Sequence, residues 1–211
     1  MEYLLYDVSW YIELMGAKAH IRLHFNQRNV MNVHDHLKTL PVDEIKAGYV
    51  KNALNAAVGM SHLSGDFNLG NVIRSANFFG FGEVFYIGGK KGFDRRSTVG
   101  THHYIPLNFF RTEEDFLESI KDKYSLVCVE NNIPKYSWKT ISIFDKDAFQ
   151  ELIHPPLFLF GEEQLGIPES LLNEAGYILT IPAFGSVRSM NVGSCASVVM
   201  AMYRQNSGVS P

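Results

Sequence analysis

Three polar stretches hold the side chains on which chemistry would depend: GDFNLGNVIR, GEEQLGIP and AFGSVRSMN. The first offers Asn68, Asn71 and Arg74, the second the carboxylates Glu162 and Glu163, the third Arg188, Ser189 and Asn191. Amides, hydroxyls, a guanidinium and carboxylates orient oxygen atoms and hold charge, and none of the three stretches carries a thiol or an imidazole. GDFNLGNVIR is not a G-x-G-x-x-G fingerprint and no GxxxxGK[ST] loop occurs, which argues against a dinucleotide or ATP site. Taken singly, each group has an ordinary reading: Arg74 as a surface arginine, Glu162–Glu163 as an acidic pair at a helix start, Ser189 or Asn191 as a helix cap.

The elements that must position these groups are legible from apolar patterning. Ala56–Leu63 reads as a buried strand, and Leu69, Val72, Ile73, Ala76 and Phe79 mark a helix ended by Gly80 at a C′ position. That helix leaves Asn68, Asn71 and Arg74/Ser75 off its apolar face, with Asn68 and Arg74 on neighbouring sectors nearly two turns apart. Strands follow at Glu83–Ile87, Tyr104–Phe109, Ser125–Val129, Leu157–Phe160 and Tyr177–Ile181. Helices are expected at Thr112–Lys123, Phe144–Ile153 and Pro168–Ala175. Pro182 stops the last strand because it lacks a backbone donor. A final helix ends near Gln205, and its first half is nearly all small residues, Gly193 to Ser197. Apolar strands alternating with helices imply an α/β fold with a mostly parallel sheet covered on both faces, in which ligands bind beyond the carboxyl ends of the strands.

The 211 residues fit one such domain with an appendage, expected as residues 1–55 ahead of a domain at 56–211. Pro41 with Asp43 and Glu44 reads as a helix start within that appendage. Cys128 and Cys195 sit among apolar or small residues and read as buried thiols; no CxxC spacing is present, and the His34-x-His36 pair has no partner cluster, so no metal is expected. Met1–Trp10 lacks the basic start of a signal peptide, and no apolar run approaches the ~20 residues of a membrane span, so the expectation is a cytoplasmic protein free of the membrane. A net charge of −3 argues against coating nucleic acid through bulk charge. A local patch is another matter: KKGFDRR gathers Lys90, Lys91, Arg95 and Arg96.

NLGNVIRSANFFG, FGEEQLGIP and IPAFGSVRSMNV, in this order and spacing, resemble the three successive motifs of the SpoU/TrmH family of RNA ribose 2′-O-methyltransferases, in the SPOUT class. The resemblance spans residues 66 to 206. It implies a parallel α/β sheet whose carboxyl-terminal part is threaded into a deep trefoil knot, S-adenosylmethionine bound in that knot, a homodimer, and tRNA or rRNA as partner. The motif residues fall on Asn68 and Arg74, on Glu163 between Gly161 and Gly166, and on Ser189 and Asn191. By the same resemblance the cofactor pocket uses the backbone at Leu159, Phe160 and Gly161, together with Ile181, Gly185 and Met190. The chain departs from the family pattern at Gly193, where a serine often stands.

A ribose hydroxyl is a poor nucleophile at neutral pH and a sulfonium methyl is already activated, so the expected work is in-line orientation and alkoxide stabilisation. A guanidinium, which has no lone pair to accept a proton, suits Arg74 to holding an alkoxide, phosphate or ribose rather than to taking a proton. Asn68 and Ser189 would orient Arg74 and the ribose, and Glu163 would pair with an arginine in its own protomer or across the dimer. Lys90, Lys91, Arg95, Arg96, His102 and His103 are the expected RNA contacts. Two rivals stand beside this reading: a SPOUT-fold RNA-binding protein without catalysis, and an enzyme that methylates a base nitrogen.

Overall fold

The computed structural model describes residues 32–61, 66–88, 93–149, 154–162 and 165–208, all within a unit running from Met31 to Pro211. Lys90, Lys91, Glu163 and residues 1–31 of the expected appendage lie outside the described residues. Among the described residues seven strands form one sheet: β1 Leu54–Ser61, β2 Phe81–Ile87, β3 Leu107–Phe110, β4 Ser125–Val129, β5 Thr140–Ser142, β6 Pro156–Phe160 and β7 Tyr177–Thr180. Their spatial order is β3-β2-β1-β6-β4-β7-β5, and each of the six neighbouring pairs is parallel. The helices are α1 Val42–Asn52, α2 Asp66–Phe78, α3 Glu113–Ile120, α4 Glu169–Glu174 and α5 Val192–Asn206.

The continuous apolar runs are explained by burial on both faces. Residues 56–61 of β1 and all of β6 are buried. On one face Val58, Val84, Val127, Phe158 and Leu179 pack under α2 and α5 through Leu69, Ile73, Ala76, Ala196 and Val199. On the other Ala57, Phe85, Leu126, Leu157 and Ile178 pack under α3 and α4 through Phe116, Ile120, Leu171 and Leu172. Each large side chain removed from water contributes roughly 1.5–3 kcal/mol. α2 ends as its sequence predicts, at Gly80 with φ +75°, whose N–H bonds the Asn77 carbonyl at 3.1 Å. α1 starts after Pro41, buries Ile45, and ties down through the Tyr49 hydroxyl, which donates to the carbonyl of Phe81.

Several expected elements differ. β3 begins at Leu107 rather than Tyr104, because Thr101–His103 forms a 3₁₀ turn that buries Tyr104 and Ile105 beneath the chain. Residues 144–149 of the expected Phe144–Ile153 helix are turns, and 150–153 lie outside the described residues. Asp145 Oδ2 accepts from the Ser142 N–H at 3.0 Å and Ser142 Oγ from the Phe144 N–H at 3.2 Å, side-chain bonds that replace a helical start. The three-residue β5, and the 3₁₀ segment Pro134–Lys139 before it, carry no apolar period from which to predict them.

Chain order and sheet order part company at the centre. β1, β2 and β3 step outward in sequence, yet β1's other neighbour is β6, and β7 enters between β4 and β5. The carboxyl ends of β4, β6 and β7 therefore lie side by side, where a doubly wound sheet opens its crevice.

Candidate active site

A cavity of about 560 Å³ opens at those strand ends. Its walls are Val129–Ile133 after β4, Phe160–Glu162 and Leu165–Ile167 after β6, and Ile181 with Arg188–Met190 after β7, closed by Val192 and Cys195 of α5. Of the residues expected around a cofactor, Phe160, Gly161, Ile181 and Met190 line it. Leu159 does not: it is wholly buried and faces the α3/α4 side of the sheet, as period-2 alternation from Phe160 requires. Gly185 is exposed in the loop before α5, with open space where a side chain would be.

Gly161 is fixed by close approach. A Cβ there would fall 2.2 Å from the Gly166 carbonyl carbon and 2.5 Å from the Ile167 nitrogen. Gly166 has φ +69°, and its N–H donates to the Glu162 carbonyl at 2.8 Å, which holds Gly166 against Glu162. Glu162 is buried there at 9% exposure.

The amino end of α5 joins the first and third polar stretches. Asn191 is the cap: its Oδ1 accepts from the N–H groups of Gly193 at 2.9 Å and Ser194 at 3.3 Å. Its Nδ2 donates to Asn68 Oδ1 at 3.0 Å, so one side chain caps α5 and holds α2. Ser189, the other expected cap, instead lines the smaller cavity. Below this pair Ser75 and Ser197 share a hydrogen bond at 2.9 Å, and Gly193 presses on α2 where a Cβ would meet Asn71 Cβ at 3.3 Å. The small residues at the start of α5 are thus explained by a close helix crossing.

Arg74 is exposed and lines a second, larger cavity of about 1380 Å³, on the other side of the first turn of α5. Asn71, Ser75, Asn191, Ser194 and Ser197 line it with Arg74, as do His34, His36, Glu44 and Asn52 from the segment before β1. Within one chain, therefore, Ser189 and Met190 face the smaller cavity while Asn191 and Arg74 face the larger.

Of the expected RNA contacts, Arg95 and Arg96 are exposed on the 3₁₀ turn Arg95–Thr98. That turn lies directly on α2, since a Cβ on Gly70 would coincide with Ser97 Oγ at 1.6 Å. Arg96 is engaged by Asp94 through Nη2–Oδ2 at 2.7 Å and Nε–Oδ1 at 3.0 Å, and this guanidinium holds the Asp94 carboxyl below its ordinary range. His103 is exposed, whereas His102 packs against Phe93 and bonds Thr98 Oγ1 through Nδ1 at 2.6 Å. Burial, then the charges of His103 and Arg95, depress the His102 imidazole below its usual value, and its Nε2 is buried without a partner among the described residues. Cys128 is fully buried; Cys195 is half-buried at the smaller cavity, where burial and the Glu130 charge push its thiol up, leaving it a poor nucleophile. Among the described residues no three His, Cys, Asp or Glu side chains gather as a metal site would require, and no helix is long and apolar enough to cross a membrane.

The smaller cavity also draws on polar residues that lie in none of the three stretches. Glu130 and Asn131 follow β4 directly, and the signal that marks them is position: polar side chains at the carboxyl end of a buried parallel strand.

Comparison with known proteins agrees with this geometry. Residues 55–201 match the SpoU rRNA Methylase family. The chain is 26% identical over 171 residues to the tRNA (guanosine(18)-2′-O)-methyltransferase of Saccharomyces cerevisiae, covering 78% of this chain but only 11% of that protein. An AdoMet-bound rRNA methyltransferase from Sinorhizobium meliloti superposes with a TM-score of 0.62 at 23% identity, over 74% of this chain and 57% of its own. The TrmH/SpoU tRNA modifying enzyme of A. aeolicus superposes with a TM-score of 0.64 at 15% identity, over 78% and 81%. The sheet order, the three polar stretches at its carboxyl edge and the match over 55–201 place this chain in the SpoU methylase family.

Proposed function

We propose that this protein transfers a methyl group from S-adenosylmethionine to a ribose 2′-hydroxyl of a tRNA or rRNA, as a cytoplasmic homodimer with a knotted carboxyl-terminal half. The observation that carries the reading is the Asn68–Asn191 hydrogen bond, which joins two of the three motifs at the wall between the cavities. The smaller cavity has the size of small-molecule sites, about 300–1,000 Å³. Apolar Phe160, Leu165, Ile181 and Met190, beside backbone brought close by Gly161, suit a nucleoside. Phe160, Gly161, Ile181 and Met190 would hold S-adenosylmethionine, which when bound supplies an electrophilic methyl on a sulfonium.

The chain's own residues supply orientation and charge. Arg74, permanently cationic, takes the developing alkoxide or the adjacent phosphate; Asn68 and Ser189 set the ribose against it. Asn191 is the positioning residue that fixes Asn68. Because Arg74 opens on the larger cavity, a second copy of the chain is the natural completion of the site, and light scattering of the purified protein tests that. Residues 1–55 serve the RNA or the dimer in this scheme, and Arg95 and His103 extend the RNA-facing surface beside α2.

The decisive experiment maps 2′-O-methylation by mass spectrometry in cells lacking the protein, then in cells complemented with Arg74→Ala. Loss of one ribose methyl on deletion, not restored by Arg74→Ala, supports the reading. Full restoration would remove Arg74 from the site, and a lost base methyl would point to base chemistry instead. Retention of every ribose methyl, with RNA still bound, would favour a binding protein.

A further inference from the structure

The walls of the smaller cavity come from loops far apart in sequence, and one dipeptide after β4 ties them together. The β4–β7 ladder ends at Val129 and Leu179, with the Glu130 N–H donating to the Leu179 carbonyl at 3.1 Å. Three residues on, Pro182 removes a backbone donor, so the ladder has no regular way to continue past Ile181. Asn131 replaces it. Its Oδ1 accepts from the Ile181 N–H at 3.0 Å and its Nδ2 donates to the Ile181 carbonyl at 2.9 Å, so one primary amide satisfies both backbone groups as a strand partner would. Asn132 then turns the chain away with φ +58°, a left-handed conformation that asparagine tolerates.

Glu130 does the same for the other wall. One carboxylate oxygen accepts from the Asn131 N–H at 2.9 Å, the second from the Ile167 N–H at 3.2 Å. A Cβ on Gly166 would lie 2.8 Å from that second oxygen, so the glycine admits the carboxylate. Gly161 rests in turn on the Gly166–Ile167 backbone. Glu130, Asn131, Gly161, Gly166, Ile167 and Ile181 all line the one cavity.

We propose that Glu130 and Asn131 are positioning residues that set the separation between the wall of Gly161, Gly166 and Ile167 and the wall of Ile181 and Met190, and thereby the affinity for the methyl donor. This rests on the reading of the smaller cavity as the S-adenosylmethionine site. The pair works through backbone, touching neither the RNA nor the reacting oxygen. Its loss therefore acts on cofactor affinity and leaves turnover at saturating cofactor unchanged.

The test is calorimetric titration of S-adenosylmethionine into the full chain, wild type against Asn131→Ala, Asn131→Asp and Glu130→Gln, with hydrogen exchange followed on peptides spanning 161–167 and 178–184. Asn131→Ala is expected to raise Kd about tenfold or more and to speed exchange in 178–184, while peptides from β1 stay protected. Asn131→Asp keeps the acceptor for the Ile181 N–H but sets a carboxylate against its carbonyl, so it too weakens binding and covers the case in which the alanine variant does not fold. Glu130→Gln has one acceptor where two are used, and is expected to speed exchange in 161–167 instead. With the modified RNA in hand, KM for the cofactor rises and kcat stays within about twofold. Folded Asn131 variants with wild-type Kd would overturn the positioning role while leaving the function intact. Absence of binding by the wild type itself would overturn both, and is distinguishable from the first line of data.

Discussion

The two cavities share a wall, the first turn of α5, and are built in opposite ways. The smaller is lined by backbone that other groups hold still: a glycine pressed against a turn, a carboxylate and an amide clamping N–H and C=O groups. The larger is lined by side chains standing off helix surfaces, with Arg74 exposed and with contributions from the segment before β1. The first construction gives a fixed shape, which suits one invariant small molecule. The second gives reach and hydrogen-bonding variety, which suits a polymer that must be accepted in a particular fold. On the proposed reading, preorganisation is concentrated where the ligand never changes.

That contrast can be broken from either side. The largest effect is expected from Gly161→Ala, whose Cβ would sit 2.2 Å from backbone that cannot yield without moving Gly166 and Ile167. Calorimetry should find no measurable S-adenosylmethionine binding, with the domain losing about 1–3 kcal/mol in denaturant titration. Arg74→Ala should do the reverse. Turnover on the physiological RNA falls about 100-fold or more, equivalent to about 2.7 kcal/mol of transition-state stabilisation, and cofactor affinity stays at the wild-type value. Gly193→Ser, which restores the more usual family residue, is expected to change activity less than about threefold and stability by less than about 1 kcal/mol. Its Cβ would stand 3.2 Å from Asn191 Oδ1 and 3.3 Å from Asn71 Cβ, so the neighbours shift by tenths of an ångström. A tenfold gain in turnover would show instead that the wall between the cavities lacks a hydroxyl it needs.

The smallest effect concerns pH. His102 is held below its ordinary value by burial and neighbouring cations, so the unfolded chain binds its proton more readily than the folded one. The stability tied to its neutral form is complete above about pH 6.5 and declines as the pH falls toward the depressed value. Denaturant midpoints at pH 7.5 and 5.5 should fall less steeply in His102→Gln than in the wild type.

Much of the scaffold could be read before any coordinates, because a parallel sheet covered on both faces announces itself in unbroken apolar runs. Ser125–Val129 is the clearest instance. The capping of α5 was legible as a choice between Ser189 and Asn191, and only packing resolves it, since Asn191 alone also reaches Asn68. What periodicity cannot convey is which side of a helix turn faces which cavity. Arg74 and Ser189, from the first and third motifs, open on different sides of α5. Beyond their position after β4, Glu130 and Asn131 carry no sequence signal of their role, because their partners are backbone atoms some 35 to 50 residues away, and such atoms leave no mark on a pattern of side chains. The turn at 143–149 misleads for a related reason: local side-chain bonds overrode a helical-looking composition.

The insertion of β6 between β1 and β4 also sets a timetable for synthesis. Ala57 pairs with Leu157, so one edge of β1 waits for a partner about 100 residues downstream, while β2 and β3 are already in place on the other. At roughly 5–20 residues per second that edge stands open on the nascent chain for roughly 5–20 s. It is six buried residues long and carries a single polar side chain, Ser61, the kind of strand that recruits foreign partners when unprotected. A sheet whose centre closes late makes early life on the ribosome its most exposed moment, and non-local pairing of this kind makes refolding slow.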